Sequence, residues 1–484
     1  MDGAATRARA RRHHRRRTPG ALARTGRGVI VPDWLRRQAA VRPEHPAVVT
    51  DTGMTSFAAL DRRVDGIARR LRASDVQRVG SLLSNGLELI ELIHAAPRAA
   101  VTLVLMDPRS TDVETRAQAA AAGVELLLRT SHVDGPRAPS WEPTLDLDAV
   151  HTVVFTSGTS GGAKPVVLTG ANHLWSAVAS AARLGAHDDD RWLACLPLWH
   201  VGGLAIVLRA VIHGATVVVQ SGFDVDAVAR ALAERRITML SLVPTALGRL
   251  LDVRPPTTLR CALIGGAAAS PSLLARSHAN GWPVAPTYGC TEAASQVATA
   301  CPGTFDGVGH PLFPTRVRIV RGDGTIAEPD EDGAIEVQGP TVTPGYLAPD
   351  GTVHDPTVDG WFRTGDLGRC DASGALHVLG RRDDVIVTGG ENVAPTEVEA
   401  VLAGMPDVAE VAVAGVADAA WGQAVAAWVV PRDGTRPSLD ALRAAARAQL
   451  APHKLPRRLF VVDALPRTAA GKVRRTALRV PHGE

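Results

Sequence analysis

The run Phe155-Thr156-Ser157-Gly158-Thr159-Ser160-Gly161-Gly162-Ala163-Lys164-Pro165 follows an apolar segment and concentrates glycines, hydroxyls and one lysine. Such a loop can wrap a polyphosphate: glycine lets backbone N–H groups turn inward, Ser and Thr hydroxyls donate, and the Lys164 ammonium offsets phosphate charge. The same composition also serves plain surface connections. No Gly-Lys-Ser or Gly-Lys-Thr occurs in it, so the Walker A pattern is not met. A second group, Thr287-Tyr288-Gly289-Cys290-Thr291-Glu292-Ala293, sets a hydroxyl beside a carboxylate, a pair able to hold hydrated Mg2+ against phosphates, while Tyr288 offers a face to a purine. Its structural alternative is a strand end and a helix capped by Thr291, with Glu292 at the positive dipole end. Trp361-Phe362-Arg363-Thr364-Gly365-Asp366-Leu367 reads as a turn projecting a carboxylate, suited either to a vicinal diol or to local capping. The stretch Gly380 to Asp384, followed by Gly389-Gly390-Glu391-Asn392, makes a fourth group, and Pro466-Arg467-Thr468-Ala469-Ala470-Gly471-Lys472 a fifth. Lys472 there is either a mobile electrostatic clamp or a solvated tail lysine.

The elements that must position these groups alternate in type. Strand-length apolar runs alternate with Ala- and Leu-rich helical stretches, which predicts α/β organisation with largely parallel sheets. Helices are expected over 33–40, 58–71, 87–96, 171–184 and 224–234, and strands over 80–83, 101–106, 124–128, 151–155, 215–220, 238–243 and 261–264. The glycine loop then leaves the end of strand 151–155, where open α/β sheets place ligands. From about Val308 the texture changes to short strands between Gly, Asp and Pro turns (317–320, 333–337, 375–378), a sheet or distorted barrel. After Gly380 to Asp384 a small α+β unit follows, with helices over 396–402 and 439–450 and strands over 408–416 and 424–430. The expected fold is α/β: a large N-terminal domain of stacked α/β subdomains with a distorted β-barrel-like subdomain, and a small mobile α+β C-terminal domain. The boundaries are 1–28 for a disordered Arg-rich extension, 29–382 for the large domain and 383–484 for the small one.

Composition narrows the function classes. The 484 residues, 45% hydrophobic and 21% charged, describe a globular chain of several domains. Residues 1–27 hold nine Arg and one Asp, so the formal +4 of the whole becomes −4 for the rest. Nucleic-acid binding would rest on that segment alone, and no nucleic-acid partner is expected. The apolar window 193–212 is broken by Pro197, His200, Gly202, Gly203 and Arg209, so no membrane span is expected. Five scattered cysteines form no CxxC pair, which fits a reducing cytoplasm.

The joint, ordered occurrence of the five groups resembles the adenylate-forming superfamily of acyl-CoA synthetases, adenylation domains and luciferases, over residues 32–478. That resemblance implies ATP, Mg2+ and coenzyme A. By it, Thr156, Ser157, Gly158, Thr159, Ser160, Gly161 and Lys164 cover the ATP phosphates. Gly265, Gly266 and Ala267 line the adenine with Tyr288 and Gly289. Thr291 meets the phosphates, Glu292 holds Mg2+, and Asp366 and Arg381 bind the ribose. Asp383 is the hinge, Lys472 the catalytic lysine of adenylation, and Gly389 and Gly390 face CoA. His200 stands beside the acyl pocket. The loop departs from the family pattern Pro-Lys-Gly at Ala163-Lys164-Pro165, where Pro165 could stiffen it. The wording at Asn85 to Ile90, Ala293 to Val297 and Gly309 to Pro314 is most similar to the o-succinylbenzoate-CoA ligases of menaquinone synthesis. That similarity implies that Ser295 and Gln296 lie beside the acyl pocket and that a cation meets the second carboxylate. Arg209 is the candidate cation, against the alternative of a helix residue with a solvated head. An aryl- or medium-chain acyl-CoA synthetase and a non-catalytic nucleotide or acyl sensor are the alternatives. The partners expected are small molecules, with a homo-oligomer left open.

Overall fold

The computed structural model describes residues 28–156, 163–468 and 471–480. Local sequence explains many of its elements. In the helix Phe57–Ala73, Phe57, Leu60, Val64, Ala68 and Leu71 recur at three- and four-residue spacing and are all fully buried, Ser56 Oγ accepts the Ala59 N–H, and Arg70 and Arg72 close the last turn. Each such large aliphatic side chain contributes about 1.5–3 kcal/mol by leaving water. One core joins this helix and Leu87–Arg98 to Val201–His213 and to strands of two sheets.

A nine-stranded sheet has a parallel centre, in the order Val284–Cys290, Cys261–Ile264, Met239–Leu242, Arg191–Ala194, Thr216–Val219, Pro46–Thr50, with antiparallel strands added at both edges. A seven-stranded sheet is parallel from Val150–Phe155 through Thr102–Leu105 and Arg78–Ser81 to Leu126–Leu128. Its other half is antiparallel: Pro165–Thr169 pairs back on Val150–Phe155 and carries Gly345–Leu347 on its far side. The β-rich region is a five-stranded antiparallel sheet built on Arg316–Val320, Gly333–Gln338 and Trp361–Cys370, and its strand path stays open among the described residues.

A 3-10 turn, Arg382–Asp384, follows the last strand of that sheet. The chain then builds a separate five-stranded sheet around Val408–Asp418 and Gly422–Pro431, packed by Pro395–Leu402 and Leu439–Ala446 over a core of its own. The second of these helices stops four residues short of the expected end. No helix among the described residues is long and apolar enough to cross a membrane.

Candidate active site

Three neighbouring strand ends and one tail loop meet at a cleft. After the parallel strand Cys261–Ile264, Gly265 approaches the next strand so closely that a Cβ would lie 2.7 Å from Thr287 Cγ2, and Gly266 follows with φ +80°. Gly289 is required as glycine because a Cβ would overlap the Ser295 carbonyl oxygen across the hairpin. That hairpin turns through Thr291–Ala293, a single 3-10 turn in which no side chain caps the N-terminus, so the capped-helix alternative for Thr291 is not what forms. Ala294 and Ser295 both hold positive φ, +51° and +105°, a strained geometry for residues with side chains.

Asp366 projects from the ten-residue strand Trp361–Cys370, not from the turn expected there; Gly365, at φ +77° beside a register shift, supplies the bend that reads as a turn in sequence. The Tyr288 hydroxyl donates to Asp366 Oδ2 at 2.5 Å and Arg381 Nε meets Oδ1 at 3.0 Å. Burial raises the Asp366 pKa, with Arg381, Tyr288 and Lys472 pulling the other way. Burial and the Asp366 charge hold the Tyr288 hydroxyl far above its ordinary value, so it remains a donor.

Lys472 arrives from the opposite end of the sequence. Its Cε lies 4.0 Å from where a Gly266 Cβ would stand, and Gly471 abuts Val243 and Thr245. The side chain keeps solvent access at the cleft mouth, yet the protein around it withdraws enough hydration to lower the ammonium pKa. Arg381 lowers it further, while Asp366, Cys290 and Glu292 raise it. His200 begins the helix Val201–His213 with Nε2 buried and unpartnered; burial lowers its pKa, Asp107 opposes, and Lys472 and Arg109 reinforce.

Glu292 Oε1 accepts the Tyr346 hydroxyl at 2.9 Å, and no Lys, Arg or His among the described residues forms an ion pair with this carboxylate. An oxygen donor left without a cation beside Lys472 and Asp366 fits a hard ion such as Mg2+. Lys164 Nζ lies over the Tyr346 ring, 5.2 Å from its centre. Sequence reasoning missed Tyr346. The available signal was rarity: the chain has two tyrosines, and both donate to cleft carboxylates.

Arg209 is 2% exposed, which overturns the solvated-head alternative. Its Nη2 donates to Ser176 Oγ at 3.1 Å, its guanidinium lies 5.8 Å from the Trp192 ring centre, and its Nε has no partner. Ser176 Oγ in turn donates to the Ala294 carbonyl at 2.7 Å, which ties Arg209 to the strained hairpin. The nearby carboxylate of Asp190 is already taken by Arg260 at 2.5 Å. Burial lowers the Arg209 pKa to about 9. Gln296, 2% exposed, donates to Thr299 Oγ1 at 2.8 Å and leaves Oε1 unpartnered.

Thr156 and Lys164 close the base of the glycine loop, with Thr156 N–H donating to the Lys164 carbonyl at 3.1 Å; Ser157, Gly158, Thr159, Ser160 and Gly161 lie outside the described residues. Ala267 is exposed beyond Gly266. Asp383 is exposed in the 3-10 turn between the two sheets. Gly389 and Gly390, at φ +60° and +86°, make a two-residue hairpin turn packed on Trp421, whose ring carries Arg457 at 3.9 Å. These two glycines are not brought to the cleft by any hydrogen bond among the described residues.

The AMP-binding enzyme family matches residues 35–347, and the AMP-binding enzyme C-terminal domain matches residues 397–472. The chain belongs to the AMP-binding enzyme family. Within it, the chain is 39% identical to 2-succinylbenzoate–CoA ligase of Geobacillus kaustophilus, over 93% of this chain and 97% of that protein. It is 36% identical to 2-succinylbenzoate–CoA ligase of Bacillus licheniformis, over 92% and 99%. Among solved structures, o-succinylbenzoate CoA synthetase from Bacillus subtilis in complex with the acyl-adenylate intermediate OSB-AMP superposes with a TM-score of 0.86 at 35% identity, covering 93% of this chain and 99% of that one. The same enzyme with ATP and magnesium ion gives 0.85 at 35% identity, covering 93% and 100%. The superfamily resemblance drawn from the five motifs is therefore borne out for this AMP-binding enzyme.

Proposed function

We propose that this chain is an AMP-forming acid-thiol ligase that converts o-succinylbenzoate to o-succinylbenzoyl-CoA through an acyl-adenylate, in menaquinone synthesis. The observation that carries the reading is the convergence of Lys472 on the cleft that already holds Asp366, Tyr288 and Glu292. A carboxylate is a poor electrophile. Here its oxygen attacks the α-phosphorus of ATP, the bond to the β-phosphate bridging oxygen breaks, and pyrophosphate leaves. The CoA thiolate then attacks the acyl carbon and AMP departs.

Both transfers depend mainly on positioning and charge. Lys472 bridges the incoming carboxylate and the α-phosphate. Asp366, held by Tyr288 and Arg381, accepts the ribose hydroxyls, and Gly265, Gly266, Ala267 and Gly289 leave room for adenine against Tyr288. Thr291, Thr156, Lys164 and the loop between them take the phosphates. Glu292 would hold Mg2+, which would supply further neutralisation of the polyphosphate. His200 borders the acyl pocket with Ser295 and Gln296, and Arg209 receives the second carboxylate. Its support is a buried guanidinium with no acid partner among the described residues. We infer that residues 383–484 turn as a body on Asp383 relative to 29–382, withdrawing Lys472 and presenting Gly389 and Gly390 to CoA. The inferred compartment is the cytoplasm, in keeping with five free cysteines.

Carboxylate-dependent AMP release with MgATP and CoA tests the reading across o-succinylbenzoate, benzoate and medium-chain fatty acids. Selective turnover of o-succinylbenzoate, lost in Lys472→Ala, is expected. Preference for another acid would move the chain to an aryl- or medium-chain synthetase. Silence with every acid while ATP still binds would leave a nucleotide sensor.

A further inference from the structure

The short strand Gly345–Leu347 connects two parts of the cleft that are far apart in sequence. On one side it pairs antiparallel with Pro165–Thr169, Tyr346 standing opposite Val166, two residues after Lys164. On the other, Tyr346 donates from its hydroxyl to Glu292 Oε1 at 2.9 Å, and Thr343 N–H reaches the Glu292 carbonyl at 2.7 Å. The segment is clamped before any ligand arrives. Asn172 Nδ2 donates to the carbonyls of Pro340 and Val342, both at 2.9 Å, and Thr343 Oγ1 reaches the Val167 carbonyl at 2.5 Å. Gly345, φ +152°, allows the His354 carbonyl so close that a Cβ would overlap it.

We propose that Tyr346 is a positioning residue: its hydroxyl aims one oxygen of Glu292 so that the other faces the magnesium-nucleotide, while its ring face seats the Lys164 ammonium of the phosphate loop. A carboxylate free to rotate must be ordered when the ion binds, and a fixed donor removes that entropy from the binding step. Because the strand touches both the loop exit and the metal-holding carboxylate, the effect is confined to nucleotide binding and adenylation. This inference rests on the assignment of Glu292 to Mg2+ in the ligase reading.

The test is calorimetric titration of the full chain with ATP, once with Mg2+ and once with EDTA, using Tyr346→Phe, which keeps the ring and loses the hydroxyl. MgATP binding should weaken about tenfold, the low end of the range for outer-shell partners, while ATP in EDTA binds within about twofold of wild type. Thioester formation from supplied acyl-adenylate and CoA should be unchanged. In a Glu292→Gln background, Tyr346→Phe should add nothing. Equal weakening with and without Mg2+, an unchanged MgATP affinity, or a parallel fall in both half-reactions would each overturn the positioning role. A wild-type chain that binds MgATP and turns over no acid would sink the ligase reading instead, and the binding comparison would still decide Tyr346.

Discussion

Replacing Arg209 by Met separates stability from substrate recognition. Lowering a guanidinium from its ordinary value to about 9 through burial alone corresponds to about 5 kcal/mol of lost hydration, at about 1.4 kcal/mol per tenfold. The Ser176 hydrogen bond and the Trp192 ring face return about 1 kcal/mol each. A methionine of similar reach should therefore raise stability by about 2–3 kcal/mol at pH 7, read from urea unfolding. The pH sign follows from linkage: the unfolded chain binds this proton up to the ordinary guanidinium value and the folded chain only to about 9, so the penalty is full below about pH 9 and fades above it. The gain of the variant should shrink between pH 7 and 10. Activity should move oppositely. If the guanidinium meets the second carboxylate, its loss costs about 3–5 kcal/mol, and kcat/KM for o-succinylbenzoate falls between about 10²-fold and about 4 × 10³-fold. The analogue whose second carboxyl is replaced by hydrogen should change by less than about threefold. A variant that is less stable and slow with both acids would make Arg209 purely structural, and one retaining full o-succinylbenzoate activity would refute its pairing with the carboxylate.

If Lys472 acts protonated in adenylation, as proposed, the alkaline limb of ATP–pyrophosphate exchange at saturating ATP should lie below the ordinary lysine value, since the proton is lost as pH rises through its lowered pKa. Arg381→Gln should move that limb upward and Asp366→Asn downward, with thioester formation from supplied adenylate showing neither; limbs that do not move would show that Lys472 does not set the profile. Gly289→Ala forces a Cβ onto the Ser295 carbonyl and should weaken ATP binding at least about tenfold, checked by equilibrium titration against an unchanged circular dichroism spectrum. Arg98→Leu removes the buried guanidinium that meets Asp33 at 2.7 Å and Asp61 at 2.8 Å, leaving Asp33 without an ion-pair partner among the described residues while Asp61 keeps Arg36 at 3.1 Å, and should cost about 3–5 kcal/mol in urea unfolding.

The parallel core was legible because its strands are short continuous apolar runs and its helices carry clean three- and four-residue spacing. The cleft groups were legible as chemistry, yet their meeting was not: Lys472 reaches Gly266 across two hundred residues, and no local pattern reports such a contact. Asp366 was misplaced onto a turn because Gly365 looks the same in sequence whether it ends a strand or bends one. The sequence left Arg209 open between a buried cation and a solvated head, since an arginine in an apolar helix ordinarily sends its head to water. Here the helix Val201–His213 is enclosed on all sides, and nine of its residues are buried, Arg209 among them. Tyr346 sits in a Gly- and Pro-rich stretch that reads as connection, and its partner Glu292 belongs to another strand system.

Pro165 shows how a departure from the family pattern is absorbed by the fold. It is the first residue of the strand Pro165–Thr169, a position that tolerates proline, and it stands opposite Phe155. The hydrogen bonds that close the loop base belong to the next pair outward, Thr156 N–H to the Lys164 carbonyl at 3.1 Å and Lys164 N–H to Thr156 Oγ1 at 3.2 Å. Antiparallel pairs alternate, so Phe155 and Pro165 form a pair that exchanges no backbone hydrogen bonds, and the absent N–H removes nothing from that ladder. What proline adds is a fixed φ where the loop rejoins the sheet, immediately after Lys164 and immediately before Val166, the partner of Tyr346. The rigidity therefore falls on the base of the glycine loop at Lys164 and on the strand Pro165–Thr169 that pairs with Tyr346.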